Sequence, residues 1–303
     1  MVFCFLPVTA CAAPQPSLSP SPTIVSMNPC TDAILAEVAD PQQLLAISAY
    51  SQDPASSSMD LTRARAMRGV SGTVEEVLAL RPQIVVGSSF TPPGTRAALE
   101  RMGYRFEAFG LAATVAESRD QVRALARIAG HPERGAALIA RIDAALAAAA
   151  PPPGSPVTAV VWQSGGIVPG QGTLINDLLG RTGFVNYAAL RGLQQADVLG
   201  LEAMLADPPQ VIFAAGNRHS EEDRLLSHPA LAALTDTRRA AFDAKLLWCG
   251  GPTIVRAAAR LAEVRRSLAP RTTPQPPPLK RRGSLKAPSS SEEGVGGGGG
   301  TAP

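Results

Sequence analysis

Short β-branched runs and stripes of apolar residues at helical spacing alternate along this chain. Thr23 to Ser26 is such a run, closing on Met27-Asn28-Pro29, and the apolar positions from Thr31 to Val38 then recur at helical intervals; the stretch predicts strand, turn, helix. Leu44 to Ser48 reads as a second strand, followed by a long polar stretch over 49–60. Thr73 and Glu76 then match the capping box in which each side chain satisfies the other's free backbone donor. Pro82 stops the helix so begun, and Ile84-Val85-Val86 is the next strand. Thr95 to Met102 predicts a helix, and Tyr104 to Phe109 alternates as a strand does. Strands and helices alternating at this spacing imply parallel pairing and an α/β lobe.

Thr114 opens another capping box with Glu117, and helical periodicity persists almost to Ala150, broken only at Gly130-His131-Pro132. Pro132 suits the first turn of a new helix, which would run roughly 28 Å to Ala150 at about 1.5 Å per residue. Pro151-Pro152-Pro153-Gly154 ends it. The pattern then restarts: a strand at Val157 to Trp162, helices at Leu174 to Leu179 and Leu201 to Ala206, a strand at Val211 to Phe213, helices at Leu225 to Leu234 and Ile254 to Leu268, and a last short strand at Lys245 to Trp248.

Two segments are near copies. EEVLALRPQIVV aligns with EAMLADPPQVIF, placing Glu75 on Glu202 and Pro82 on Pro209. The repeat marks equivalent helix-strand units in two halves. The predicted class is therefore α/β: two lobes with central parallel sheets, joined by one long helix. The boundaries read as an apolar and Pro/Ser-rich leader over 1–22, a first lobe over 23–130, a connecting helix and linker over 131–154, a second lobe over 155–270, and a tail over 271–303 that lacks the apolar content to fold.

Composition narrows the partners. With 303 residues and 45% hydrophobic content the chain can bury one large core or two ordinary ones. Its net charge of +3 belongs to the tail, where Arg271, Lys280, Arg281, Arg282 and Lys286 face only Glu292 and Glu293. A neutral body with 4% aromatics offers no footprint for nucleic acid. The leader has the order of the back half of a secretory signal, with its basic region missing, so the true start is expected upstream. Ala10-Cys11-Ala12 fits a cleavage site, and Val8 to Cys11 resembles a bacterial lipobox that would put a lipid on Cys11. Cys30 and Cys249 would remain after processing; two buried free thiols are expected there in preference to a bridge.

No metal-ligand spacing of Cys and His is present, and His131 and His228 each precede a proline at a helix start, which leaves His219 as the one histidine placed to line a cleft. Capture of a bare divalent metal is disfavoured, since it needs several converging His and carboxylate ligands. A metal already wrapped in an organic chelate needs aromatic walls and a few hydrogen bonds instead. The motifs of the nucleophile elbow, the phosphate loop, the zinc proteases and dinucleotide binding are absent, so no catalytic residue is assigned and a two-lobe enzyme is the alternative class.

Ile24 to Asp32, Gly72 to Val86, the helix over 136–149, Gly170 to Leu179 with Gly183 and Asn186, the repeat at Glu202 to Phe213, and Trp248-Cys249-Gly250-Gly251-Pro252 together resemble the iron-chelate and vitamin B12 class of substrate-binding proteins of bacterial ABC importers. The resemblance spans about residues 23 to 268. It implies a ligand held between the lobes, in the periplasm or on a lipid anchor at Cys11, and delivery to a permease and ATPase complex at the inner membrane. Parallel lobes present the loops after their strands to ligand, which makes Asn28, Tyr50, Phe90, Trp162, His219 and Trp248 the candidate ligand contacts. Each tryptophan reads equally as an ordinary core residue. A corrinoid or a ferric siderophore is the expected cargo, with no resident cofactor or metal; haem, held by Tyr50 or His219, is the alternative. The resemblance also implies that one glutamate per lobe, here Glu75 and Glu202, docks into arginine pockets of the permease. The plainer reading of both is a charge favoured at a helix N-terminus.

Overall fold

The computed structural model describes residues 21–151, 153–216 and 228–268. The first sheet is all parallel: β1 (Ile24–Ser26), β2 (Leu44–Ser48), β3 (Gly69–Val70), β4 (Ile84–Ser88) and β5 (Arg105–Phe109) lie in the order β3-β2-β1-β4-β5. Its crossovers run through α1 (Pro29–Val38), α2 (Leu61–Arg65), α3 (Val74–Leu80) and α4 (Pro93–Arg101). The strand order reverses direction at β1, which puts a switch point, where open α/β sheets bind ligands, at the carboxyl ends of β1 and β4.

Next come α5 (Val115–Ala129) and α6 (Pro132–Ala148), divided at Gly130, whose φ of 82° closes α5 in the left-handed conformation. The predicted capping box at Thr73 forms, whereas at Thr114 only the side-chain half does, the glutamate bonding the residue before the cap. Glu76 Oε2 accepts from the backbone of Ser71, Gly72 and Thr73 while Thr73 accepts from Glu76 N–H. At α5 Thr114 accepts from Glu117 N–H, and the glutamate reaches back to Ala113 N–H at 2.8 Å.

The second sheet holds β6 (Val157–Gln163), β8 (Phe184–Asn186), β10 (Val211–Ala215) and β11 (Arg238–Ala241) in the parallel order β11-β10-β6-β8. A two-stranded antiparallel pair, β7 (Ile167–Val168) with β9 (Asp197–Val198), sits beside it, and α7 (Leu174–Arg181), α8 (Tyr187–Leu190), α9 (Leu201–Ala206) and α10 (Thr253–Ser267) complete the fold. The last strand is thus Arg238–Ala241, paired with β10 from Val211 to Ala214, and not Lys245 to Trp248, where a 3-10 turn spans Ala244–Leu246. Of the helix expected over Leu225 to Leu234, residues 225–227 lie outside the described ones and Pro229–Ala233 form a 3-10 turn.

One large core runs through both sheets. It gathers the inner faces of β1, β4, β6 and β10 with α1, α5, α6, α7 and α10, and Phe184, Phe213 and Phe242 meet edge to face within it at 5.3 and 5.6 Å. The outer face of the first sheet packs Val25, Ala46, Val85 and Leu99; that of the second packs Val160, Trp162 and Ile212 with Tyr187 and Met204. Both faces of both sheets are covered, as parallel sheets require.

Candidate functional site

The first turn of α1 follows the switch point of the first sheet. Asn28 caps it, its Oδ1 accepting from Cys30 N–H at 2.9 Å, with Pro29 at the first helical position where no donor is needed. Asn28 therefore has a structural task that keeps its side chain partly buried. Four residues after Asn28, Asp32 is fully buried: its Oδ2 accepts from Ser48 N–H at 2.9 Å and from the Ser51 hydroxyl at 2.6 Å, while Oδ1 has no hydrogen-bond partner among the described residues. Burial pushes its carboxyl up to about 7, against the opposing pull of the Ser26, Ser51 and Ser48 donors.

Ser48 caps the 3-10 turn Ala49–Gln52 and Ser51 lies within it, and Ser48 Oγ accepts from Tyr50 N–H at 3.3 Å. The turn leaves the Tyr50 ring 64% exposed. Phe90 stands in the same way after β4, 75% exposed, on a turn in which Ser88 Oγ accepts its N–H and Thr91 Oγ1 accepts from Ser88 N–H. Polar side chains thus brace two aromatic rings at the carboxyl edge of the first sheet.

The second lobe is built differently. Trp162 is fully buried on the outer face of β6, its indole N–H donating to Leu199 C=O at 3.2 Å. It presents no surface to a ligand, contrary to its placement among the expected contacts. The reason is strand parity: the odd positions Val157, Ala159 and Val161 enter the shared core, so Val160 and Trp162 point to the opposite, helix-covered face. The neighbouring Gln163 ends β6 with its Nε2 buried and without a hydrogen-bond partner among the described residues. Trp248 remains 43% exposed and lines, with Leu111 to Ala113 from the segment before α5 and Pro169, Gly172 and Thr173 from the second lobe, a cavity of about 60 Å³ between the lobes. His219 lies outside the described residues, as does the rest of 217–227 after β10.

Cys30 and Cys249 form a disulfide, against the expectation of two free thiols. Packing of the chain after β11 onto α1 brings their Cα atoms to 4.9 Å, within bridging range, although 219 residues separate them. Gly250 and Gly251 make that approach possible. A Cβ on Gly251, whose φ is 60°, would lie 2.5 Å from Ile34 Cγ1, and one on Gly250 would lie 2.3 Å from Ser118 Oγ, the same hydroxyl that accepts from Gly251 N–H at 2.8 Å. A further link across the molecule runs from Val115 N–H at the start of α5 to Asp177 Oδ2 on α7, at 2.8 Å.

Glu75 and Glu202 both stand exposed in the first turns of α3 and α9, each helix leading into a buried strand, and neither carboxylate has a partner among the described residues. His131 is occupied by Asp40 and Gln43, and His228 Nδ1 accepts from Ala230 N–H, so both serve local structure. Among the described residues, no three His, Cys, Asp or Glu side chains gather where they could hold a metal ion.

Known proteins share the fold. No curated protein sequence matches the chain. Solved structures do: a periplasmic haem-binding protein from Pseudomonas aeruginosa, at 25% identity, TM-score 0.63 and coverage of 82% of this chain and 94% of the other; the periplasmic vitamin B12 binding protein BtuF of Vibrio cholerae, at 21%, 0.64, 82% and 98%; and the periplasmic haem-binding protein RhuT from Roseiflexus sp. RS-1 in apo form, at 20%, 0.63, 82% and 98%. The family described as periplasmic binding protein matches residues 24–239, well over half of the sequence, and the chain belongs to that family.

Proposed function

We propose that this protein is the substrate-binding component of an ABC importer and that its cargo is a metal-bearing tetrapyrrole, haem or a corrinoid. The observation that carries the reading is the set of exposed rings, Tyr50, Phe90 and Trp248, at the edges of lobes whose other described aromatics are buried or half-buried. Each ring offers on the order of 150 Å² or more of flat apolar area to a flat partner. The structural neighbours include proteins described as binding haem and vitamin B12, which supports the same class of cargo.

Titration of the purified protein with haem and with cyanocobalamin, read by absorbance and tryptophan quenching, tests the proposal. Saturable binding of one of them, weakened by Trp248→Ala or Tyr50→Ala, is the expected result. A protein that binds neither overturns it. In the same reading Glu75 and Glu202 meet arginines of the permease as desolvated charge-assisted pairs. Glu75→Ala with Glu202→Ala should abolish uptake in cells while leaving cargo affinity intact; normal uptake by the double variant removes the docking role.

A further inference from the structure

The Asn28-to-Asp32 stretch does more than start a helix. Cys30 and Asp32 are the second and fourth residues of α1, and at about 100° per residue they leave the helix in roughly opposite directions. One direction leads to Trp248: Cys30 is bonded to Cys249, and its Sγ lies 3.9 Å from the Trp248 carbonyl oxygen. The chain beyond the bridge cannot shift independently, because Gly251 is seated against Ile34 of the same helix and its N–H is held by Ser118. The other direction leads to Tyr50: Ser48, which caps its turn, and Ser51, which follows it in the turn, are both bonded to one oxygen of Asp32. The helix turn is itself fixed by the Asn28 cap and by Thr31, whose hydroxyl bonds Asn28 C=O at 3.0 Å and pairs with Ser26 Oγ at 2.8 Å.

We propose that this single turn is the positioning hub of the ligand face, with Cys30 holding Trp248 through the disulfide and Asp32 holding Tyr50 through the Ser48 and Ser51 bonds. Neither hub residue touches cargo. Each acts by fixing an aromatic ring before cargo arrives, which spares the ordering cost that a mobile ring would impose on binding. The proposal rests on the reading of Tyr50 and Trp248 as ligand contacts.

The test uses the full chain carrying 5-fluorotryptophan and 3-fluorotyrosine. With two tryptophans and three tyrosines the fluorine spectrum is simple, and Trp248→Phe and Tyr50→Phe assign the two lines of interest. Opening the bridge, with dithiothreitol or in Cys30→Ser with Cys249→Ser, should move and broaden the Trp248 line while the Trp162 and Tyr50 lines stay. Asp32→Asn, or Ser51→Ala should that variant not fold, should move the Tyr50 line and leave Trp248. Each arm, once cut, should weaken binding of haem or cyanocobalamin about tenfold. A Trp248 line indifferent to the bridge, a Tyr50 line indifferent to Asp32, both lines moving together with Trp162, or selective line shifts with unchanged affinity would each overturn the hub. Selective shifts in a protein that binds neither probe would support the hub's geometry and sink the choice of cargo instead.

Discussion

The two lobes hold their facing edges by different means. At the first sheet, Asp32, Ser48, Ser51, Ser88 and Thr91 brace the exposed Tyr50 and Phe90 through side-chain hydrogen bonds. At the second, the large ring of β6 is turned inward, and Trp162 packs with Val160, Tyr187, Met204 and Ile212. Shape complementarity keeps the second edge rigid; donors and acceptors keep the first. An edge held by polar groups responds to pH and to single-atom changes, whereas one held by packing responds to volume. The difference also places two exposed rings on the first lobe, with Trp248 tied to the same lobe by the disulfide.

The largest test of this contrast is volume. Trp162→Ala should cost about 3–5 kcal/mol of stability, as large buried side chains do on truncation, with a further loss from the Leu199 carbonyl left without its donor. Trp248→Ala, at the half-exposed ring, should cost about 1 kcal/mol or less and register in cargo binding instead. Denaturant unfolding of the two variants, each paired with a titration, separates them. Equal losses of stability would mean that Trp248 is also a core residue.

The second test is protonation. Asp32 has a folded-state value of about 7 against an ordinary 3.8, so the folded protein retains a proton that the unfolded chain releases. Stability from this group is fully present below about pH 4 and is lost as pH rises toward 7, at a slope of at most ~1.4 kcal/mol per pH unit. Asp40, Asp53 and Glu76 have lowered values, so their gain with pH is complete by about the ordinary carboxylate range and does not mask that window. Asp32→Asn should flatten the fall between pH 4 and 7. The difference curve between wild type and variant, measured by urea unfolding at half-unit steps, checks it; a curve of zero slope shows that the carboxylate is ionised at the first edge and braced by its serines alone.

What was readable in the sequence follows the same division. Elements closed by local rules were legible: the capping box of Thr73 with Glu76, the Pro82 stop, the Gly130-Pro132 break and the parallel strands between them. Partner-dependent elements were not. β11 was expected at Lys245 to Trp248, but Arg238–Ala241, polar at its start, forms the strand because β10 offers it a free edge. Strands of two residues such as β3 and β7 leave no period to detect. At the site, Tyr50, Phe90 and Trp248 emerged exposed as expected, whereas Trp162 did not, because every residue of β6 but one is buried and the run carries no sign of which face each side chain takes. The bridge between Cys30 and Cys249 spans nearly the whole fold, and Asp32 reads in sequence as an ordinary acid near a helix start. Its isolation is a property of the packed molecule.

The smallest effect sharpens the comparison through the repeat itself. α3 and α9 present Glu75 and Glu202 at equivalent places, yet only α3 is capped by side chains: α9 begins on Gly200 with no side-chain cap, and Ala203 stands where Glu76 does. Glu76→Ala should therefore destabilise the first lobe by about 1 kcal/mol, removing the acceptor for the N–H groups of Ser71, Gly72 and Thr73. Gly200→Ser with Ala203→Glu should stabilise the second by a similar amount. The backbone at Gly200 is extended, with φ −66°, and a Cβ there would meet nothing nearer than the flexible Glu202 carboxylate at 3.3 Å. Because the two helices share the proposed docking position but not the cap, a capped α9 that gained stability and kept normal uptake would show that the acid, and not the helix end that carries it, is what the repeat preserves. Loss of uptake in that variant would assign the uncapped, looser turn of α9 a part in meeting the permease.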